Sequence, residues 1–230
     1  MPTAQRKSRR RPAKKSRKSG VSAATKKYVR RMLPKVELKR NVLNSDEVSI
    51  STLTQGAMYP LTSLTQGTGS YQRIGNQVTI KGFHIKGLLN NNATTTNYMR
   101  MLLVWTNIDT LTTFSTAALF DDVNLAGGTG GTGTIFGANI LYYPINKMTF
   151  KVAYDRVFKL GGSGDPASSR MFSKFIKMNT RLKYVANNAG DAYQDKQLSL
   201  VLLAAQSDDD VAAGQVIETS FMARTYYTDA

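Results

Sequence analysis

Residues 6–20, RKSRRRPAKKSRKSG, contain nine Lys or Arg side chains and no acidic side chain. Cations at this density neutralise phosphate groups, and each neutralised phosphate releases a condensed counterion, which gives strong binding without sequence preference. We therefore predict a nucleic-acid-binding segment at this end of the chain. Its candidate residues are Arg6, Lys7, Arg9, Arg10, Arg11, Lys14, Lys15, Arg17, Lys18, Lys26, Lys27, Arg30 and Arg31.

Part of the same segment matches a nuclear localisation signal. The stretch RRRPAKKSRK (9–18) is a short run of Lys and Arg, the pattern that nuclear import factors recognise. Nuclear import is therefore a second expected use of the basic residues. Those concerned are Arg9, Arg10, Arg11, Lys14, Lys15, Arg17 and Lys18.

The excess charge is confined to about the first sixth of the chain. Residues 1–40 hold sixteen Lys and Arg against one acid, a net charge of +15, whereas residues 41–230 hold 15 against 14, a net charge of +1. A block of like charges with few large apolar side chains repels itself and cannot fold alone. We therefore expect residues 1–35 to form a largely disordered basic arm and residues 36–230 to form a folded domain.

The last part of this arm, GVSAATKKYVRRMLP (20–34), permits a short helix over 21–33. Ser22 can cap its first turn, and Pro34 ends it. Continued disorder is the competing interpretation.

The remaining sequence offers little reactive chemistry. There is no Cys, and the one His, His84, lies in a strand-like segment where a lone His is usually structural. GGTGGTG (127–133) has the glycine spacing of a phosphate-binding loop, but a strand-like segment follows it, where such a loop needs a helix. We therefore predict neither catalysis nor a cofactor.

The best candidates for a metal site are Asp208, Asp209 and Asp210 in SDDDVAAG (207–214), since Ca²⁺ takes several oxygen ligands. Asp121 and Asp122 form a second acidic pair. The spacing of an EF-hand is missing, so we interpret the triple Asp as a solvated turn and predict no metal site. A structural calcium ion at a subunit interface is the alternative.

Neither a membrane span nor a secretory signal is predicted. The apolar run LVLLAA (200–205) is far shorter than the roughly 18 residues that suggest a span. No apolar stretch follows the basic residues of the N-terminus, as it would in a signal peptide. We therefore expect no membrane insertion.

From residue 36 onward, β-branched and aromatic residues gather in segments separated by polar and glycine-rich clusters, which indicates a mainly β domain. One segment, TFSTAALFDD (113–122), predicts a helix, and 107–138 and 161–169 read as long loops. The predicted strands are 36–43, 47–54, 76–90, 98–107, 139–143, 148–160, 171–186, 196–206 and 215–228.

Long, uneven connections between the strands favour a single eight-stranded jelly roll of two packed antiparallel sheets over a regular meander. An immunoglobulin-like sandwich is the competing architecture, but it is usually shorter. The alternation in QVTIKGFHIKGLL (77–89) switches face near Gly82, which predicts a bulge. QLSLVLLAAQ (197–206) is nearly all apolar, as expected of a strand covered on both sides.

One segment of the body, RMFSKFIKMNTRLKYV (170–185), interleaves cations with aromatic residues. A strand with one solvent-exposed face is the interpretation we favour, and a patch that contacts nucleic acid is the alternative. Elsewhere in the body the Lys and Arg residues are scattered along the sequence. The residues concerned are Arg170, Lys174, Lys177, Arg181 and Lys183 with Phe172, Phe175 and Tyr184.

Several motifs resemble the capsid proteins of small circular single-stranded-DNA viruses that encode a replication initiator protein, the circovirus-like group. After the basic start, Arg73 and Gly75 in YQRIGNQVTIKGFHIKGLL (71–89) resemble an Arg-x-Gly pattern before an alternating strand. YMRMLLVWTN (98–107) resembles the strand that follows. The next match, in NKMTFKVAYDRVFKLGG (146–162), comprises Asn146, Phe150, Val152, Asp155 and Arg156.

This resemblance implies a single jelly roll, about 60 copies in a T=1 icosahedral shell, an arm that faces the interior, and delivery of the genome to the host nucleus. The implied partners are other copies of the chain, single-stranded nucleic acid (DNA in this family), host nuclear import factors and an unknown host receptor. The implied locations are the virion and the host nucleus. Single-jelly-roll capsids of satellite plant RNA viruses have a similar plan.

The sequence thus predicts a capsid protein that is not an enzyme. One alternative is a cellular nucleic-acid-binding protein with a β-barrel body, of the OB or cold-shock type, which would gather aromatic and basic residues on one sheet. A β-sandwich enzyme or lectin is a second alternative, which the lack of a reactive site disfavours.

Overall fold

The computed structural model describes residues 22, 28, 37–51, 56–106, 119–120, 141–184, 196–206 and 216–229. The chain divides into two units, residues 1–36 and residues 37–230. In the first unit Ser22 and Tyr28 alone are described, so the predicted arm and its possible helix lie outside the described residues. We call the second unit, residues 37–230, the body.

The described part of the body is built from β-strands, joined by loops and one short 3-10 helix, Pro166–Ser168. The strands, numbered β1 to β8 in chain order, are Lys39–Ser51, Ala57–Pro60, Gln77–Asn91, Asn97–Thr106, Phe150–Leu160, Ser169–Lys183, Gln197–Gln206 and Val216–Asp229.

Strand pairing is nested: β1 pairs with β8, β2 with β7, β3 with β6 and β4 with β5, all antiparallel. β8 also pairs with β3, and β7 with β4, which gives the two sheets β1-β8-β3-β6 and β2-β7-β4-β5. A long folded hairpin divided over two four-stranded sheets is an eight-stranded jelly roll. The predicted fold is therefore confirmed.

The main core lies between the two sheets. Along β8, buried and half-buried side chains alternate from Ile217 to Tyr227, as expected of a strand with one covered face. Its inward side chains, Phe221 among them, belong with Phe83 of β3 and Leu200 of β7 to one cluster of buried apolar residues. The side chains between them point away from the second sheet and form the outer face described below.

β7 is buried on both sides, as its sequence predicts. Leu198, Leu200 and Leu202 join the main core, whereas Val201 and Leu203 join a second cluster on the opposite face of the same sheet. This second cluster covers the outside of the second sheet. Besides residues of β4 and β7, it contains three residues from outside the strands and the first residue of β5: Leu119, Phe120, Ile145 and Phe150.

β3 contains the predicted bulge, but its side chains face differently from expectation. Its register with both β6 and β8 shifts between Ile80 and Gly82. The alternation in the sequence predicts that the apolar residues before and after Gly82 lie on opposite faces, and this is wrong because the extra residue, Lys81, restores the inward orientation. The residues buried together in the main core are Val78, Ile80, Phe83, Ile85 and Leu89.

Two predicted strands are one. Segments 36–43 and 47–54 contribute to the single strand β1, whose register is irregular between Ser45 and Val48. Glu47 adopts a left-handed backbone conformation there, with φ of 49°. The polar residues that suggested a turn therefore form a local irregularity within a continuous strand.

Two further expectations differ from the structure. β2 was missed because AMYP is short and ends in Pro, which gives almost no periodic signal. Segment 139–143 was predicted as a strand, but its described residues 141–143 form a turn that packs on the second cluster. Of the predicted helix 113–122, residues 119 and 120 alone are described.

Arg73 of the Arg-x-Gly motif is fully buried. Its Nε donates to the carbonyl of Leu64 at 3.0 Å and its Nη1 to that of Gly75 at 2.8 Å. The guanidinium lies 4.2 Å from the ring centroid of Tyr184, whose hydroxyl donates to the carbonyl of Thr62 at 2.9 Å. The motif therefore fixes the β2–β3 connection against the end of β6.

Arg100 and Asp155, from two other motifs, form one ion pair across β4 and β5. Arg100 Nη2 lies 2.7 Å from Asp155 Oδ2 and its Nε 3.1 Å from Oδ1, while Nη1 donates to the carbonyl of Tyr143 at 2.9 Å. Asn146 Oδ1 accepts the backbone N–H of Met148 at 3.0 Å, which shapes the turn before β5. The described motif residues thus stabilise the body.

Candidate nucleic-acid interface

The predicted nucleic-acid-binding and nuclear-localisation residues of segment 6–31 lie outside the described residues. Their role stays a prediction. Within the described body, the outer surface of the first sheet is the strongest candidate for contact with a polyanion, for reasons that follow from strand pairing.

Cations from all four strands of the first sheet share its outer face. We call this surface the basic face. Glu218 lies at its far end, and Asp46 and Glu47 lie in the irregular part of β1. The cations of the basic face are Arg40, Lys81, Lys86, Lys177, Arg181, Lys183 and Arg224.

Strand register places these residues in neighbouring rows across the sheet. One row runs Lys177, Gly82, Tyr226, Arg40, from β6 through β3 and β8 to β1. Residues directly opposite each other on one face have Cβ atoms about 4.5–5.5 Å apart, so neighbours in a row are within contact distance.

The next row runs Phe175, His84, Arg224, Val42 over the same four strands. Arg40 therefore lies beside Tyr226, with Lys177 on the far side of Gly82, and Arg224 of the second row lies beside His84. The two rows bring cationic and aromatic side chains together on this surface.

His84, Phe175 and Tyr226 form an aromatic cluster in the middle of the basic face. The ring centroids of His84 and Phe175 are 6.3 Å apart, and those of Phe175 and Tyr226 are 6.1 Å apart, both edge-to-face. Phe175 is 55% exposed, so over half of its surface meets solvent. His84 Nε2 lies 3.1 Å from Ser173 Oγ.

Gly82 makes room for this cluster. A Cβ at position 82 would lie 2.6 Å from Phe175 Cζ and 3.2 Å from the carbonyl oxygen of Ile176. Because the glycine has no side chain, the Phe175 ring lies over the strand and approaches Tyr226 on the next one.

The structure divides the aromatic and basic residues of segment 170–185 between two faces. Tyr184 is buried and Phe172 packs against the main core. Lys174 Nζ lies 5.8 Å from the ring centroid of Tyr154, and the Arg170 guanidinium 5.7 Å from that of Phe158, so both are on the side of the second sheet. The eight residues do not share one surface, because alternate residues of a strand face opposite ways. The favoured interpretation, a strand with one solvent-exposed face, agrees with the structure of β6. The members on the basic face are Phe175, Lys177, Arg181 and Lys183.

Most of the basic face was missed by reasoning from sequence. Arg40, Lys86 and Arg224 are separated by long stretches of chain and appear scattered when the sequence is read in order. Because β8 pairs with both β1 and β3, these three residues lie on one face of the sheet. No local sequence pattern indicates this pairing, so none identifies the site.

The ion pairs Lys39–Asp229 and Arg100–Asp155, 2.8 and 2.7 Å long, both lie off the basic face. Arg224 Nε, on the basic face, is shielded from solvent and has no hydrogen-bond partner among the described residues. The seven cations outnumber the three carboxylates of Asp46, Glu47 and Glu218 at one end of the sheet, so this surface carries an excess of positive charge.

Tyr227, on the inner side of the same sheet, is fully buried. Burial raises the pKa of its hydroxyl to about 12, with the charges of Asp229 and Glu37 acting in the same direction and Arg73 in the other. The hydroxyl therefore remains protonated at neutral pH.

A second group of cations surrounds Trp105 at the end of β4. Lys147, Lys151 and Lys196 line a cavity of about 260 Å³ with this ring, and Lys196 Nζ lies 5.9 Å from its centroid. Trp105 is only 8% exposed, so its ring offers little surface to a ligand. The basic face is the larger and more open of the two surfaces.

Within the described strands and loops, no three His, Asp or Glu side chains come together as a metal site would require. The predicted acidic turn 207–214 lies outside the described residues. No helix of the described part is long and apolar enough to cross a membrane.

No family model and no curated protein matches the sequence. Solved virus structures give low-scoring alignments. A chain of infectious bursal disease virus, Gx strain, aligns at a TM-score of 0.35 and 7% identity over 83% of this chain and 33% of that one. This chain therefore spans about a third of the length of that protein.

Two further virus structures align over most of both chains. A chain of the Israel acute paralysis virus pentamer has a TM-score of 0.30 and 13% identity over 80% of this chain and 88% of that one. Desmodium yellow mottle tymovirus has a TM-score of 0.26 and 13% identity over 84% and 87%. Alignments with such low scores and identities establish no common function.

Proposed function

We propose that the protein is a viral capsid subunit that assembles into a small icosahedral shell, T=1 with 60 copies, and packages a single-stranded genome through its basic N-terminal segment. The observation that carries this proposal is the segregation of charge. Residues 1–40 carry a net charge of +15, whereas residues 41–230, nearly all of the jelly-roll body, carry +1. A near-neutral body can pack against copies of itself, whereas a strongly cationic body would repel them.

The size of the charge fits the proposed task. In a 60-subunit shell, +15 per subunit sums to about 900 positive charges, which is on the order of the phosphates in a kilobase or less of single-stranded nucleic acid. The jelly roll supports the proposal without deciding it, because lectin domains and cupins share this architecture.

The resemblance of the motifs favours a circovirus-like single-stranded-DNA virus, with nuclear import through residues 9–18 and assembly in the host nucleus. A satellite-type RNA virus is the closest variant of the same function. In either case the basic segment, which contains Arg and Lys in about equal number, binds phosphates through charge, so its binding depends strongly on salt.

A cellular nucleic-acid-binding protein is the second candidate function, and the basic face is the observation that favours it. The OB-type and cold-shock-type bodies of this alternative are excluded, because an OB-fold is a five-stranded barrel and this body is a jelly roll. A binding protein with a jelly-roll body remains.

Expression of the full chain, followed by size-exclusion chromatography and electron microscopy, separates the two functions. The proposal requires uniform closed particles of about 60 subunits with a high ratio of absorbance at 260 nm to that at 280 nm. A protein that stays monomeric at every salt concentration and pH, and binds oligonucleotides as a monomer, would contradict it.

A further inference from the structure

The exposed aromatic cluster of His84, Phe175 and Tyr226 is unusual for an outward surface. Single exposed apolar residues need no explanation, but here an exposed Phe adjoins two partly exposed rings on a charged sheet. Phe175 makes edge-to-face contacts with both other rings, at 6.3 and 6.1 Å, and still remains 55% exposed.

Bulk packing does not account for this arrangement. The inward side chains of the same strands already fill the main core, and Phe175 is not part of it. Gly82 leaves free the space that the end of the Phe175 ring occupies over β3. A larger residue at 82 would cover the sheet but would displace the ring.

Charge complementarity identifies the class of ligand. Arg40 lies beside Tyr226 in one row, with Lys177 on the far side of Gly82, and Arg224 lies beside His84 in the next. A polyanion would form ion pairs with the cations, and a ligand with flat apolar groups would stack on the rings. Single-stranded nucleic acid has both, because its unpaired bases can stack on aromatic side chains while its phosphates contact Lys and Arg.

Double-stranded nucleic acid does not fit the same features. Its bases are stacked on each other and present only their edges, so the rings would gain no partner. A sheet face also lacks a helix or loop that would enter a groove.

We propose that the basic face is a binding site for single-stranded DNA or RNA, in which bases stack on Phe175 and Tyr226 and phosphates contact Arg40, Lys177 and Arg224. This proposal rests on the proposed function in one respect only, which is that the basic face lies on the interior of the shell. Binding here is distinct from binding by segment 6–31, because it requires unpaired bases as well as phosphates.

Photo-crosslinking of the full chain tests the site directly. Oligo-dT and oligo-U are irradiated with the protein, and the adducts are mapped by mass spectrometry. We expect base adducts on Phe175 or Tyr226 with either single strand, and a large loss of these adducts when the oligonucleotide is annealed to its complement. Preference between the two probes distinguishes DNA from RNA.

The test variant is Phe175→Leu with Tyr226→Leu, which keeps apolar side chains but removes the aromatic faces. The matched control is Tyr142→Leu, since Tyr142 is 80% exposed and lies away from the basic face. At raised salt, where binding by the basic segment is weak, we expect the double variant to bind oligo-dT at least about fivefold less tightly for each ring lost. The control should bind as the parent does.

Each outcome has a defined meaning. Adducts confined to residues 1–35, in particles that assemble and contain nucleic acid, would overturn this site and leave the proposed function intact. If no particles form but adducts map to Phe175, the proposed function is contradicted and the site is supported.

The other possible occupant of this face is a second copy of the chain. If the double Leu variant keeps its melting temperature but no longer assembles, and single strands bind it as tightly as before, the basic face is a subunit contact and the proposal is wrong.

Discussion

Arg73 shows how a polar residue can hold the body together without taking part in binding. The sequence presents it as part of a motif near a strand, and its burial could not be predicted because a cation is rarely buried without a carboxylate. The structure surrounds it with the carbonyls of Leu64 and Gly75 and the ring of Tyr184. The motif is therefore structural.

Replacing Arg73 should destabilise the body. In Arg73→Met the carbonyls of Leu64 and Gly75 lose their charged donor, and we expect the free energy of unfolding to fall by about 2–4 kcal/mol. Denaturant titration of the full chain measures this change. The control is Arg181→Met on the exposed side of β6, where we expect a change within about 0.5 kcal/mol. Equal effects for the two variants would contradict the structural role.

The buried hydroxyl of Tyr227 predicts a pH dependence. Its pKa rises from 10.0 in the unfolded chain to about 12 in the folded one, so the folded state retains the proton more strongly. The resulting stabilisation is complete below pH 10 and is lost as the pH rises towards 12. In Tyr227→Phe we expect this part of the alkaline loss to disappear, as measured by chemical unfolding over that range. At neutral pH the variant should be at least as stable as the parent, because the hydroxyl has no hydrogen-bond partner among the described residues.

Tyr142→Phe is the matched control for the pH experiment. Tyr142 is exposed, so this variant removes a phenol hydroxyl without changing the core. If both Phe variants follow the parent curve between pH 10 and 12, the burial of Tyr227 does not contribute to the alkaline transition.

Among the elements, β3 controls both the core and the basic face. Its bulge at Lys81 turns the apolar residues on either side of Gly82 into the core, and Gly82 itself leaves space for Phe175. The bulge and the adjoining glycine thus determine the packing of side chains on both faces of β3.

Gly82→Ala should be destabilising. The new Cβ would lie 2.6 Å from Phe175 Cζ and 3.2 Å from the carbonyl of Ile176, and such overpacking costs about 1–3 kcal/mol. Thermal unfolding measures the effect. Gly75→Ala is the matched control, because its Cβ would meet no atom closer than 3.9 Å. Adding Phe175→Ala should recover part of the loss, and failure to do so would show that the clash lies elsewhere.

The sequence predicts elements well where the periodicity is strong. β7 is almost continuously apolar and β3 alternates clearly, so both could be placed, whereas β2 is too short to show a period. The candidate site was predicted only in part. Phe175 and Lys177 share a segment, but Arg40 and Tyr226 join them through pairings between opposite ends of the body, and local patterns contain no information about such pairings.

At the scale of the whole molecule, the proposal divides the roles: the basic segment binds nucleic acid, and the body forms the shell. This division predicts that the basic segment can be removed without loss of the fold. Deleting residues 1–20 removes nine cations and, in Met1, a single large apolar side chain. We expect an unchanged β-type circular dichroism spectrum and particles with a much lower ratio of absorbance at 260 nm to that at 280 nm. An unfolded truncated chain would contradict the division.

The nested order of the strands also fixes when the body can form during synthesis. β8 lies between β1 and β3, so the first sheet stays open until the last strand has left the ribosome. Contacts this distant along the chain form slowly. The cationic segment precedes the body in the chain, so it is synthesised before the first sheet can close. If residues 9–18 act as proposed, import factors can bind them before the body is able to join a shell.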